Sequence, residues 1–171
     1  MTKSIKERAP PYTPFLEVAD DEILRIRAAL EIEMRKRGIA LSVGDMGEKL
    51  AVEYFKVTPK LPNLQYAPSG TKNVDALSRD GERYSIKTTC KGKKTGTIYP
   101  DAEDETKQLF EYLLIVRLSD SWSLDSIHQL SWSKFVTVRS WDKRMKAWYV
   151  AISSRVLSDA TLIFSAGKAD G

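Results

Sequence analysis

The run FEYLLIVRL, Phe110–Leu118, constrains this chain more than any other stretch. It is almost continuously apolar, the pattern of a strand buried on both faces; a strand with one wet face alternates instead. Two helical patterns precede it. In DDEILRIRAALEIEMRKRG, Ile23, Ile26, Leu30 and Met34 recur at helical spacing, acids open the run, bases close it and Gly38 follows. In SVGDMGEKLAVEYF, Ser42 is an N-cap with Asp45 as its capping-box partner, and Val43, Met46, Gly47, Leu50, Ala51 and Tyr54 form one stripe. Gly44, Gly47 and Ala51 allow this second helix a close approach to another element, and Glu48 lies just off the stripe. Strand-like runs then stand at Asn73–Leu77 and Arg83–Thr89. Weaker strand patterns are SLDSIHQL and KAWYVAIS, and SSRVLSDATLI suits a short closing helix. Helix, helix, hairpin, buried strand and a mixed remainder predict an α/β (α+β) domain with a central mixed β-sheet flanked by helices.

A chain of 171 residues, 42% of them hydrophobic, suits one domain, placed at residues 20–171. Residues 1–19, with Pro10, Pro11 and Pro14, read as an extended N-terminal arm. A single cysteine, Cys90, excludes an internal disulfide framework and a Cys-based zinc cluster, so a reducing cytoplasm is expected. No apolar run approaches the roughly 18 residues of a membrane span, and MTKSIKERAPPYTPF lacks the apolar core of a signal peptide. His128 is the only histidine and no nucleophile elbow surrounds it, so Ser-His-Asp, Cys-His and histidine-zinc chemistry are not expected.

The charge is uneven. Bases outnumber acids over residues 71–94 and 132–148, whereas acids dominate 101–111. A basic face with an acidic interruption suits a polyanion. In TTCKGKKTGT, Lys91, Lys93 and Lys94 sit among glycines that let a loop track a phosphate backbone; with Lys72 they are candidate nucleic-acid contacts, while Walker spacing is absent. WSKFVTVRSWDKRMKAW interleaves bases with aromatics, which suits either stacking on unpaired bases or wedging between sheet and helix.

The hairpin NVDALSRDGERYSIKT carries the chemistry. Alternation puts Tyr84, Ile86 and Thr88 inward and Arg83, Ser85, Lys87 and Thr89 outward. A two-residue Asp80-Gly81 loop would set Asp75 opposite Ile86. A three-residue Arg79-Asp80-Gly81 loop, with Gly81 at the left-handed bulge position, sets Asp75 opposite Ser85 and makes Lys87 its diagonal neighbour. An active site requires the bulged loop. Phosphodiester hydrolysis needs a hard, oxygen-ligated cation and a cationic or acidic partner for the nucleophile. Asp75 and the Ile86 carbonyl serve as metal ligands and Lys87 as the cationic partner. One carboxylate is a thin magnesium site, so a second acid is expected, and Glu48 is the best candidate.

Taken together over Val43–Thr89, GEKLAVEYF, SGTKNVDAL and ERYSIKT resemble the PD-(D/E)xK, restriction-endonuclease-like nuclease superfamily, in the arrangement of archaeal Holliday-junction resolvases and related small nucleases. There a helix glutamate precedes a G-x-D strand and an (E/Q)-x-K strand. The resemblance implies a restriction-endonuclease-like core and a Mg²⁺- or Mn²⁺-dependent DNA endonuclease, with Glu48 as helix acid, Asp75 as metal-binding aspartate and Lys87 as catalytic lysine. A homodimer is expected if both strands are cut. Ser85 departs from the pattern, standing where the family places Glu or Gln. Its hydroxyl is a weak ligand able to hold a coordinated water, and Glu48, Glu53 or the acidic loop Asp101–Glu105 are the candidates to offset the loss. A nucleic-acid-binding protein with a weakened site, or an assembly adaptor, are the alternatives.

Overall fold

In the computed structural model, which describes Phe15 and residues 17–39 and 42–167, the chain divides between Leu41 and Ser42 into two units. The sequence places the boundary at residue 20, and residues 1–14 and 16 of the expected arm lie outside the described residues. The first unit contains α1, Asp20–Lys36, whose acidic first turn and basic last turn complement the helix dipole. Ion pairs run along it, Arg27–Glu31 at 3.0 Å and Arg37–Glu33 at 2.7 Å.

The second unit is α+β. Helix α2 (Val43–Val57) leads into strands β1 (Leu64–Tyr66), β2 (Ala76–Ser78), β3 (Arg83–Thr89), β4 (Tyr112–Leu118) and β5 (Leu124–Ser131). Then come α3 (Trp132–Val138), β6 (Arg139–Asp142), β7 (Ala147–Val150), α4 (Ser154–Asp159) and β8 (Thr161–Ser165). Six strands form one mixed sheet in the order β1-β2-β3-β4-β5-β8, while β6 and β7 form a second sheet. Within the large sheet β3 and β4 are parallel and the other neighbours antiparallel.

The apolar run does what its pattern requires. On one face of β4, Leu114 and Val116 join Tyr84, Ile86 and the α2 residues Ala51, Val52 and Phe55 in one core. On the other, Leu113 and Ile115 join Phe110, Leu130, Phe135 and Val150 in a second. That second layer corrects the outward assignment on β3: Ser85 is wholly buried and Thr89 buried, because residues far downstream in the chain cover the face that local alternation marked as wet.

Two other expectations change. The strand expected at Asn73–Leu77 begins only at Ala76, since Asn73 sits at φ +58°, which takes the backbone out of the extended region. The closing helix is only α4, capped by the Ser153 hydroxyl, and Thr161–Ser165 becomes the edge strand paired with β5. Among the described residues no helix is long and apolar enough to cross a membrane.

Candidate active site

The β2–β3 connection is the bulged loop. Ala76 pairs with Tyr84 and Leu77 with Arg83, and the Ser78 N–H donates to the Glu82 carbonyl at 2.9 Å. The Gly81 N–H donates to the Ser78 carbonyl at 3.1 Å and Gly81 stands at φ +85°, the left-handed position a residue with a side chain resists. This register fixes which side chains meet at Asp75.

Beyond Tyr84 no strand among the described residues pairs with the β2 edge of β3. Asp75 caps the ladder there. Its N–H donates to the Tyr84 carbonyl at 2.8 Å, and its Oδ2 accepts from the Ile86 N–H at 2.6 Å, where a continuing β2 would have supplied a backbone carbonyl. Oδ2 also accepts from Lys87 Nζ and from Ser85 Oγ, both at 3.4 Å. Among the described residues no donor reaches Oδ1. The Asp75 and Lys87 side chains are 22% and 19% exposed, partly enclosed yet open enough to meet a ligand.

Glu48 comes from α2, which packs on the other face of the sheet. The sequence places it beside the apolar stripe; the structure widens the packed arc, burying Val52 and Phe55 as well as Gly47 and Ala51 of that stripe. Glu48 follows the i, i+4, i+7 spacing with Val52 and Phe55, so it lies within the sheet-facing arc. Contact at Gly47 sets the height of the helix: a Cβ there would overlap the Thr88 side chain, whose Oγ1 donates to the Gly44 carbonyl at 3.5 Å. Ser42 caps the helix by accepting from the Asp45 N–H at 3.0 Å, while the reciprocal capping-box bond is absent among the described residues. Burial, and then the Asp75 charge, hold the Glu48 carboxyl above its ordinary value; Lys87 pulls it down and Asp45 pushes it slightly up. Glu48 therefore shares a field with both hairpin residues.

The other expected contributors do not converge. Glu53 pairs with Lys49 at 4.0 Å on the helix surface. In the acidic loop, Asp101 bonds Lys107 at 2.8 Å and Asp104 accepts from the Thr106 hydroxyl at 2.6 Å, so these two acids serve the loop itself. Among the described residues no third Asp, Glu, His or Cys joins Glu48 and Asp75. Of the candidate phosphate contacts, Lys91 pairs with Asp120 at 3.0 Å and Lys94 with Asp142 at 3.2 Å. Lys93 is exposed, and Lys72 borders a cavity of about 520 Å³ beside Asn73, Arg83 and Asp101. His128 lies half-buried on β5, its Nδ1 without a partner, and burial followed by the Arg117 charge holds it below its ordinary value.

Sequence reasoning missed two positioning contacts. Glu111 grips Arg83 through paired bonds of 2.7 and 3.0 Å and accepts its N–H at 2.6 Å, fixing the start of β3 against β4. Asn73 donates to the Tyr99 carbonyl at 2.9 Å and so ties the turn before Asp75 to the segment that leaves β3. The first has no local signal. The second had one, because asparagine tolerates the left-handed conformation better than most residues.

The donor set suits a hard divalent cation. Asp75 Oδ1, the Glu48 carboxylate and the Ile86 carbonyl, which points to the same side as its N–H, could all serve as oxygen donors, and two acids that repel each other would gain from a cation between them. No protein-family model matches the chain, and no curated protein matches it.

Proposed function

We propose that the protein is a metal-dependent nuclease of the restriction-endonuclease-like type, hydrolysing DNA phosphodiesters with Mg²⁺ or Mn²⁺. The observation that carries this reading is the capped end of β2: one Asp75 oxygen held by Ile86, Ser85 and Lys87, the other open, and Glu48 within the same field. Glu48, Asp75 and the Ile86 carbonyl would hold the cation, which when bound polarises the phosphoryl group and acidifies a water. Lys87, oriented by Asp75, hydrogen-bonds the attacking water and offsets negative charge building on the phosphoryl oxygens. Ser85 is a positioning residue, its buried hydroxyl bonded to the ligand carboxylate. The water oxygen bonds to phosphorus, the ester P–O bond breaks, and the products are a phosphomonoester and a sugar hydroxyl. Duplex cleavage by such a site calls for two copies, and the single cysteine fits a reducing cytoplasm.

A second reading, a DNA-binding protein with a weakened site, draws on the two-carboxylate ligand set and the neutral Ser85. Plasmid, branched and single-stranded DNA incubated with Mg²⁺ or Mn²⁺ separate the two. Cleavage that falls by on the order of 10²–10⁴-fold in Lys87→Ala and vanishes in Asp75→Ala supports the nuclease. Retardation of DNA without cleavage supports the binding protein, and neither cutting nor binding removes both.

A further inference from the structure

Two basic runs that stand apart in the sequence, one around Lys91–Lys94 and the other at Arg139–Lys146, are joined by the fold. In the β6–β7 hairpin Trp141 pairs with Trp148 and Asp142 with Ala147. Strand β7 is bonded to the segment leaving β3: Trp148 and Ile98 exchange two backbone bonds of 2.8 Å, and the Thr95 N–H donates to the Val150 carbonyl at 2.9 Å. The Val150 N–H donates in turn to the Thr95 hydroxyl at 3.0 Å. Lys94 crosses to the hairpin, bonding Asp142 and lying 4.9 Å from the Tyr149 ring centre. The same segment passes the active-site lysine, for a Cβ on Gly96 would meet Lys87 Cδ at 3.7 Å. One intervening segment thus connects the hairpin to Lys87.

The hairpin's turn carries Lys143, Arg144 and Lys146, all exposed. Its one acid is already committed: Asp142 Oδ1 accepts the Arg144 and Met145 N–H groups, and Oδ2 takes Lys94. Among the described residues no carboxylate pairs with any of the three turn cations. Beside them Trp141 is 38% exposed, leaning edge-on against Trp148, while Arg139 covers Trp148 at 3.9 Å. Three unpaired cations next to an accessible indole match a polyanion that also offers flat rings. An acidic peptide would use the cations and leave the indole idle. In a duplex the bases are already stacked on one another, and exposing one costs a few kcal/mol.

We propose that the β6–β7 hairpin is a second nucleic-acid contact in which Lys143, Arg144 and Lys146 meet phosphates and Trp141 stacks on an unpaired base, giving a preference for single-stranded or branched DNA over plain duplex. The choice of partner rests on the nucleic-acid reading above. Binding is measured by anisotropy with metal withheld, using one labelled oligonucleotide as a single strand and as a duplex. Trp141→Ala is expected to lose roughly tenfold affinity for the single strand while duplex affinity stays within about twofold, and Trp141→Phe to recover most of the loss. The combined Lys143→Ala, Arg144→Ala, Lys146→Ala protein, altered only on exposed turn side chains, is expected to flatten the single-strand salt dependence by about two in logarithmic slope. Equal losses on both forms of DNA, or an unchanged slope, overturn the proposal. If the wild type cuts DNA and the hairpin variants bind as it does, the hairpin role alone is lost. If the wild type binds no DNA, the nucleic-acid reading falls with it.

Discussion

Asp75 accepts three hydrogen bonds on one oxygen and leaves the other open, so a substitution here separates charge from scaffolding. Ser85→Ala removes one long, buried hydrogen bond; the expected cost is about 1 kcal/mol in urea unfolding, with cleavage kept within about tenfold, because the Ile86 and Lys87 donors remain. Glu48 makes a pH prediction. Its carboxyl is held above its ordinary value, so without metal its contribution to stability is fully present below pH about 4.3 and is lost as pH rises through the folded value. Glu48→Gln is therefore expected to match the wild type in urea unfolding at pH 4 and exceed it at pH 7, while gaining less than the wild type from added Mg²⁺. The pairing of Asp75 with Lys87 was legible because an Asp-Gly turn has few geometries and only one sets them diagonally. Burial of Ser85 was not legible, since its cover comes from the other side of β4 and beyond.

At the scale of elements, α2 and β3 meet through a missing side chain. Gly47→Ala places a methyl where Thr88 stands, so the helix must lift or Thr88 must turn. The expected cost is roughly 1–3 kcal/mol, read as a lowered urea midpoint, together with lost cleavage as Glu48 withdraws from Asp75. Small residues at Gly44, Gly47 and Ala51 signalled the close approach in advance. The width of the packed arc on α2 was less legible: the stripe of Val43, Met46, Gly47, Leu50, Ala51 and Tyr54 does pack on the core, but Val52 and Phe55 are buried beside it. Glu48, half-buried, therefore lies within this wider arc and no longer just beside it. The parallel pairing of β3 with β4 left no local mark either, because the Cys90–Glu111 connection contains no helix to announce a crossover.

At the largest scale, the second unit is built around β4, and the cores on its two faces are expected to respond differently to acid. The second core shares its face with His128, whose ring is held below its ordinary value by burial first and by Arg117 next. A depressed histidine gives stability that is present above about pH 6.5 and lost as pH falls through the folded value. His128→Leu is expected to flatten the decline of the urea midpoint between pH 6.5 and lower values, as followed by tryptophan fluorescence. The bonds between Thr95, Ile98 and the β7 residues Trp148 and Val150 also bear on the order of synthesis. A ribosome delivers Asp75 and Lys87 long before it delivers β7, so the segment beside Lys87 has no strand to lean on until the later residues emerge. A growing chain thus holds Asp75 and Lys87 without the frame that aims them, and the candidate site is complete only when β7 has been made.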